Sequence, residues 1–253
     1  MSKARELAEL GAAYDSGALS NRNVVINGAM DVAQRGTSST GVGGASGYFT
    51  VDRFSFGLSS SGRFTVTQES DGPSGFANCT KLACTTADTS IASTESLAFR
   101  QIIEGQNLQR FAKGTTGAKE FTVSFYVKGN AAATYTCELY DADNSRQISK
   151  TFSVTTAWTR VTLTFPADTT GAFADDNGIS LYLNVWLHAG SDYNGGTLNS
   201  SSWASAVDAN RVSGSNTSFY DSTSRTFFIT GVQLEVGTEA TPFEHRSFGQ
   251  ELA

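Results

Sequence analysis

The sequence predicts an all-β protein: an antiparallel β-sandwich of the jelly-roll type, preceded by a short N-terminal helix or arm. Several runs alternate apolar and polar residues at the period of a half-buried strand. Segments rich in Gly, Ser and Asn separate these runs, only 17% of the residues are charged, and there are three prolines. A chain of 253 residues fits one such sandwich, so we predict an arm over residues 1–20 and a jelly-roll domain over residues 21–253.

The N-terminal arm has a helix-forming composition over residues 2–14. Leu7, Leu10 and Tyr14 lie along one side of the predicted helix. A helix this short is marginal in isolation, so its apolar edge is expected to dock onto the same segment of another subunit or onto a larger assembly. A frayed tail is the alternative.

The first predicted strands follow a polar linker. Residues 23–36 predict two short extended pieces with a bend at Asn27-Gly28. Residues 48–56 predict a strand whose apolar phase shifts near Arg53, which indicates a bulge or bend. A further strand is expected over residues 63–68.

The central part of the chain has the clearest alternation. Residues 121–127, 135–140 and 160–165 each predict a strand with one apolar face. Residues 128–130 and 141–145 have turn-forming composition and fall where hairpin turns are expected.

The C-terminal part combines an irregular region with a final strand. Residues 189–223 predict a long loop excursion, and loops of that length are usually functional or disordered. From Phe228 the even-numbered positions are expected to share one face of the last strand. Gln233 and Glu235 fall on the other face and are expected to meet solvent or a neighbouring subunit.

The candidate ligand site lies in residues 179–188, where the odd-numbered apolar residues mark the core face. The other face then carries Tyr182, Asn184, Trp186 and His188 in one row, to which Trp203 of the excursion is added. Aromatic rings offer flat apolar faces to a sugar, and amide and imidazole groups bond its hydroxyls, so the row predicts a glycan site. Alternatively, the aromatic residues pack under the excursion or against another subunit.

Tyr126 and Glu138 occupy the same outward phase on two other predicted strands. They join the row at residues 182–188 if their strands belong to the same sheet as residues 179–188.

Composition argues against several other classes. A formal net charge of −6 argues against nucleic acid as a partner, and no run approaches the roughly 20 apolar residues of a membrane span. His188 and His245 lie in no nucleophile or zinc motif, so we expect a protein that is not an enzyme and has no cofactor. A structural Ca²⁺ is compatible with the fold, but no ligand spacing identifies one. Cys79, Cys84 and Cys137 are expected to be small buried hydrophobes, consistent with synthesis in a reducing cytoplasm.

Residues 21–36, residues 48–54, Gly231-Val-Gln-Leu-Glu-Val-Gly237 and Thr241-Pro-Phe-Glu-His-Arg246 together resemble the C-terminal domains of bacteriophage and prophage tail-fibre proteins. Those domains look like the jelly rolls of carbohydrate-binding modules. The resemblance implies a homotrimeric virion component, made in the host cytoplasm, that contacts bacterial surface polysaccharide and binds other tail or capsid proteins.

The resemblance implies no catalytic residues, and it leaves the place of the chain on the virion open. Long tail fibres have extended shafts, whereas 20 residues precede the domain in this sequence. A short fibre, a tip or tail adaptor, and a capsid-mounted decoration or head fibre are therefore alternatives.

Overall fold

The computed structural model describes residues 2–4 and 21–252, and within them twelve strands form two antiparallel sheets. Sheet A has the order β1 (Ser38–Val42), β3 (Arg63–Glu69), β4 (Cys79–Thr86), β12 (Thr226–Val236), β6 (Phe121–Gly129), β9 (Thr159–Phe165). Sheet B has the order β11 (Ala204–Ser205), β8 (Arg146–Val154), β7 (Ala133–Asp141), β10 (Ile179–Ala189), β5 (Ser96–Glu104), β2 (Phe54–Ser59). The predicted antiparallel β-sandwich is confirmed.

Short helical segments lie between some of these strands: α1 (Ser191–Asn194) and the 3-10 helices Gly105–Asn107, Gln109–Phe111 and Asp208–Asn210. A further helix, α2 (Phe248–Leu252), follows β12. Among the described residues, no helix combines the length and the apolar character needed to cross a lipid bilayer. The arm residues Leu7, Leu10 and Tyr14 lie outside the described residues.

The core lies between the two sheets and follows the predicted alternation. Every second residue of β6 from Phe121 to Val127 is fully buried, and Tyr135, Cys137 and Leu139 of β7 are buried on the facing sheet. Burying one such side chain stabilises the fold by roughly 1.5–3 kcal/mol. The three cysteines are buried free thiols, as expected, and burial raises the pKa of Cys79 to about 11, so its thiol is neutral at pH 7.

Strand β12 departs from its predicted phase. Its pairing with β6 shifts register between Thr230 and Gln233, and Gly231 between them has a φ of 62°, so the strand carries a bulge. Ile229 faces the core before the bulge and Leu234 faces it afterwards. The prediction of an even-numbered core face is therefore right beyond the bulge and wrong at Phe228 and Thr230.

The chain's own C-terminal segment covers the outward residues of β12. The backbone N–H of Thr241 donates to Glu235 Oε1 over 2.9 Å, its hydroxyl donates to Glu235 Oε2 over 2.7 Å, and Glu244 N donates to Gln233 Oε1 over 2.9 Å. Gln233 and Glu235 are consequently buried. The expectation that they meet solvent or a neighbouring subunit is wrong, because residues 238–244 fold back over them.

The two predicted hairpin turns have different roles. Residues 141–145 join β7 to β8, which pair along their whole length, and this confirms a hairpin there. Residues 128–130 end β6 of sheet A and lead to β7 of sheet B. That segment therefore crosses between the sheets, and the hairpin prediction for it is wrong.

Candidate functional site

An open groove of about 420 Å³ lies on the outer face of sheet B. Strands β2, β5, β10 and β7 form its floor, because successive side chains of a strand point to opposite faces and the core takes the other set. Tyr193 and Arg211 of the 189–223 excursion form one wall, and Ser46, which precedes β2, stands on the other side. We call this feature the sheet B groove.

The open half of the groove contains two half-buried tyrosines on adjacent strands. Tyr182 of β10 pairs in register with Tyr140 of β7, and their rings meet edge to face with centroids 6.1 Å apart. The Arg100 guanidinium lies 5.2 Å from the Tyr182 centroid, and that of Arg211 lies 4.6 Å from the Tyr140 centroid. Apolar ring surface flanked by N–H donors is therefore exposed on a rigid, strand-borne floor.

The closed half of the groove is built around Trp186, which is 4% exposed. The ring of Tyr193 packs against it with centroids 5.3 Å apart, and the Arg211 guanidinium lies 5.1 Å from its centroid. Buried Ala98 and Val212 belong to the same apolar cluster. Trp186 thus lines the back of the groove while packing under the excursion.

A fully buried carboxylate, Glu138, organises this closed half. Asn184 Nδ2 and Trp186 Nε1 donate to its Oε2 over 2.9 and 2.7 Å. Arg211 adds a two-pronged ion pair, Nε to Oε1 at 2.8 Å and Nη2 to Oε2 at 3.1 Å. Burial works to lower the pKa of Arg211, but the Glu138 carboxylate outweighs it and raises that pKa. Glu138 is saturated by protein donors, so its role is to position Trp186 and Arg211.

Tyr126 and Glu138 join the row only if their strands lie in the same sheet as β10, and this is true of one of them. Glu138 joins it because β7 neighbours β10 and places Glu138 directly opposite Asn184. Tyr126 does not join, because β6 belongs to sheet A.

His188 lies outside the groove and is fully buried. Its Nδ1 lies 2.8 Å from Ser218 Oγ, its Nε2 lies 3.4 Å from Glu95 Oε2, and the Tyr220 ring packs edge-on against it. Burial lowers the pKa of His188, with Glu95 opposing the shift. We interpret these contacts as a structural tie between β10, the segment before β5, and the returning end of the excursion.

Trp203 also lies outside the groove. It is 6% exposed, its ring centroid is 5.5 Å from that of Phe121, and its Nε1 donates to the carbonyl of Pro166 over 2.9 Å. The structure therefore brings Tyr182, Asn184 and Trp186 together along the groove and places His188 and Trp203 elsewhere.

Among the aromatic and charged residues that line the groove, sequence reasoning missed Arg100, Tyr140 and Arg211. Tyr140 carried a usable signal, since it stands on the outward phase of a predicted strand. Arg211 carried none, because it belongs to an aperiodic region.

A lysine occupies a dense group of oxygen ligands at one end of the sandwich. The buried Lys113 Nζ donates to Asp141 Oδ2 (2.6 Å), Thr170 O (2.9 Å) and Gly171 O (2.7 Å), and lies 3.0 Å from Asp168 Oδ2. Its ammonium supplies the positive charge that these oxygens require. Among residues 2–4 and 21–252, no group of three or more His, Cys, Asp or Glu side chains is arranged to hold a metal ion.

Comparisons with known proteins give distant structural similarities only. No family model and no curated protein matches the sequence. A family 11 carbohydrate-binding module from a cellulosomal cellulase of Clostridium thermocellum is 10% identical, with a TM-score of 0.37, over 74% of this chain and 90% of that chain. TmCBM61, solved with β-1,4-galactotriose, is 9% identical, with a TM-score of 0.42, over 86% of this chain and 100% of that chain.

The enzymatically active domain of bacteriophage CBA120 tailspike protein 4 is 14% identical, with a TM-score of 0.42, over 85% of this chain and 21% of that chain. The strand pairing of the present chain establishes its own fold independently of these similarities.

Proposed function

We propose that this protein binds a glycan in the sheet B groove and does so without catalysis. The observation that carries the proposal is the pair of half-buried tyrosines, Tyr182 and Tyr140, on the groove floor between two guanidinium groups. A tyrosine ring packs against the C–H face of a pyranose, while arginine N–H groups donate to its hydroxyl oxygens. The groove volume falls within the range of about 300–1,000 Å³ usual for small-ligand sites.

The closed half of the groove supports this function by holding the open half rigid. The ion pair between Arg211 and the buried Glu138 fixes the guanidinium that lies 4.6 Å from the Tyr140 ring centroid. A preformed site loses less conformational entropy when a ligand binds.

Alanine substitution of the two tyrosines tests the proposal. The full chain is applied to an array of bacterial surface and plant glycans, and affinities for the bound glycans are measured by calorimetry. We expect Tyr182→Ala and Tyr140→Ala each to weaken binding more than tenfold, about 1.4 kcal/mol, because each removes contact surface at the centre of the site.

Trp158→Ala is the matched control. Trp158 is a half-buried aromatic residue next to Phe228 of sheet A, with ring centroids 6.2 Å apart, so its loss should leave glycan affinity unchanged. Equal losses in all three variants, or unchanged binding in both tyrosine variants, would contradict a site in the groove.

We further propose that the protein acts on a virion, as a tail-fibre or receptor-binding component that contacts host surface glycans. The resemblance carried by residues 21–36, 48–54, 231–237 and 241–246 supports this setting. It also implies a homotrimer, which sedimentation velocity of the full chain tests directly. A monomer at micromolar concentration would contradict the trimer.

A purely structural role, as a capsid-mounted decoration, head fibre or tail adaptor, is the second candidate. A second aromatic group favours it: Trp158 and Phe228 lie on the outer side of sheet A, with Lys128 Nζ 5.2 and 4.7 Å from their ring centroids. Aromatic residues are enriched in protein interfaces relative to the rest of the surface. If Trp158→Ala abolishes assembly while Tyr182→Ala leaves host attachment intact, the structural role is the better description.

A further inference from the structure

We propose that the glycan bound in the sheet B groove is anionic and that its acidic group pairs with Arg100. This inference rests on the proposed function, because it names the chemical class of ligand for the same site.

The first argument is the charge of the groove. The chain as a whole is acidic, with a formal net charge of −6, yet the described residues lining the groove include two arginines and no Asp or Glu. Arg211 is neutralised by Glu138 and also lies 3.3 Å from Asp208. Arg100 makes no ion pair within the described part of the chain, and its one hydrogen bond there runs from Nε to Ser55 Oγ over 3.3 Å. The groove therefore carries one uncompensated positive charge.

The second argument is that the Arg100 guanidinium is held in place. Tyr182 lies on one side of it, with its ring centroid 5.2 Å away, and β2 lies on the other. Gly57 of β2 provides the space, because a Cβ at that position would stand 2.6 Å from Arg100 Nη1 and 2.9 Å from Cζ. With Nε bound to Ser55, the two terminal Nη groups are the donors left for a ligand.

This arrangement suits an acidic substituent on a sugar. A planar guanidinium binds carboxylate and other oxyanions through two parallel N–H···O bonds, and those bonds are stronger than bonds between neutral groups. Tyr182 and Arg100 are neighbours, so a pyranose packed on the ring brings its acidic group within reach of the guanidinium. A uronic-acid carboxylate and a sugar sulfate share this chemistry.

The experiment measures affinity of the full chain for matched pairs of acidic and neutral glycans. Oligogalacturonate is compared with its methyl ester, sulfated carrageenan oligosaccharides with agarose oligosaccharides, and acidic with neutral bacterial polysaccharides on the array. We expect at least one acidic member to bind at least tenfold more tightly than its neutral counterpart, with the difference shrinking as NaCl rises. Preference within the uronate pair identifies carboxylate, and preference within the carrageenan pair identifies sulfate.

Variants of Arg100 and Gly57 test whether the Arg100 guanidinium causes the preference for acidic glycans. Arg100→Gln removes the charge, and Gly57→Ala displaces the guanidinium while keeping the charge, so each should reduce the ratio of acidic to neutral glycan affinity at least tenfold. Arg100→Lys, which keeps the charge without the fork, should restore only part of the preference. Lys81→Gln on sheet A also removes one positive charge and should change nothing. Thermal unfolding of each variant confirms that it is folded.

The outcomes separate this inference from the proposed function. Acidic preference that survives Arg100→Gln, or tighter binding of the neutral members, overturns the inference; if Tyr182→Ala still abolishes binding, the groove remains the glycan site. Absence of binding to every glycan overturns both.

Discussion

Tyr182 and Trp186 share one strand, β10, and one phase of alternation, yet they differ in exposure. Tyr182 is half-buried and borders open groove, whereas Trp186 is buried beneath the excursion. The period of a strand decides which face a residue takes. Whether that face meets solvent depends on what the rest of the chain places over it.

The position of the excursion explains the division. It begins immediately after Ala189, where α1 follows β10, and it returns when Phe219 N donates to Leu187 O over 2.8 Å. Residues along a strand are spaced roughly 3.3 Å apart, so Tyr182 lies roughly 13 Å farther from this end than Trp186 does. The excursion covers the end of the strand from which it emerges. The comparison predicts that substitutions in the closed half mainly lower the free energy of unfolding, whereas substitutions in the open half mainly weaken glycan binding.

The largest effect on stability is expected at Glu138. Glu138→Gln leaves the Arg211 guanidinium without its buried partner, and loss of one member of such a pair costs about 3 kcal/mol in the free energy of unfolding, measured by urea denaturation. Asp208→Asn is the matched control, because Asp208 also pairs with Arg211 but its side chain is 69% exposed. It should cost less than about 0.5 kcal/mol. Equal losses in the free energy of unfolding would show that the buried Glu138 stabilises the closed half no more than the exposed Asp208 does.

A smaller effect is expected from Trp186→Phe, which keeps most of the apolar contact but removes the 2.7 Å hydrogen bond to Glu138. Loss of one hydrogen-bond donor to a buried carboxylate lowers the free energy of unfolding by about 1–2 kcal/mol. Trp158→Phe serves as the control, because Trp158 Nε1 is buried without a hydrogen-bond partner among the described residues. That substitution should be neutral or stabilising, and a comparable loss in both variants would contradict the role given to Glu138.

The next effect is a pH dependence from His188. Burial holds its folded-state pKa below the ordinary value of 6.5, so the unfolded chain binds the proton more readily. The free energy of unfolding should be at its full value above pH 6.5 and should fall as the pH drops toward the folded-state pKa, by at most about 1.4 kcal/mol per pH unit.

Neighbouring groups define the controls for this measurement. Burial works to raise the pKa of Glu95, but hydrogen bonds from Ser61 and His188 lower it overall, so Glu95 titrates below its ordinary 4.5 and most of its contribution to the slope falls below pH 5. His188→Gln should remove the slope in that window, while His245→Gln, at an exposed position, should retain it. Stability that is flat with pH in the wild-type chain would contradict the prediction.

The smallest effect on stability is expected in the open half. Tyr182→Ala removes a half-buried ring that contacts Tyr140 and Arg100, and it should cost less than about 1 kcal/mol in urea denaturation. Its effect on glycan affinity should exceed its effect on stability. A stability loss as large as that of Glu138→Gln would remove the distinction between the two halves.

Alternation predicted some strands well and missed others for a physical reason. In β6 every inward residue from Phe121 to Val127 is apolar, so the period is visible in the sequence. In β8 the inward position opposite Cys137 is Lys150, whose Nζ lies 5.7 Å from the Phe165 ring centroid. In β5 the buried Gln101 interrupts the apolar series and bonds the backbone of Ile26 at both its N–H and its carbonyl. A polar residue at a core-facing position interrupts the alternation of apolar and polar residues, so alternation does not predict the strand.

The sequence by itself determined the class of fold, the core phase of the central strands, the buried thiols and the outward row from Tyr182 to Trp186. These follow from short-range periodicity, which the residues of one strand express without reference to any other. Tertiary structure alone decided that Glu138 joins the row, that Trp203 does not, and that Arg100 and Arg211 border it. Strand order and the path of an aperiodic loop set these contacts, and both depend on how distant segments pack.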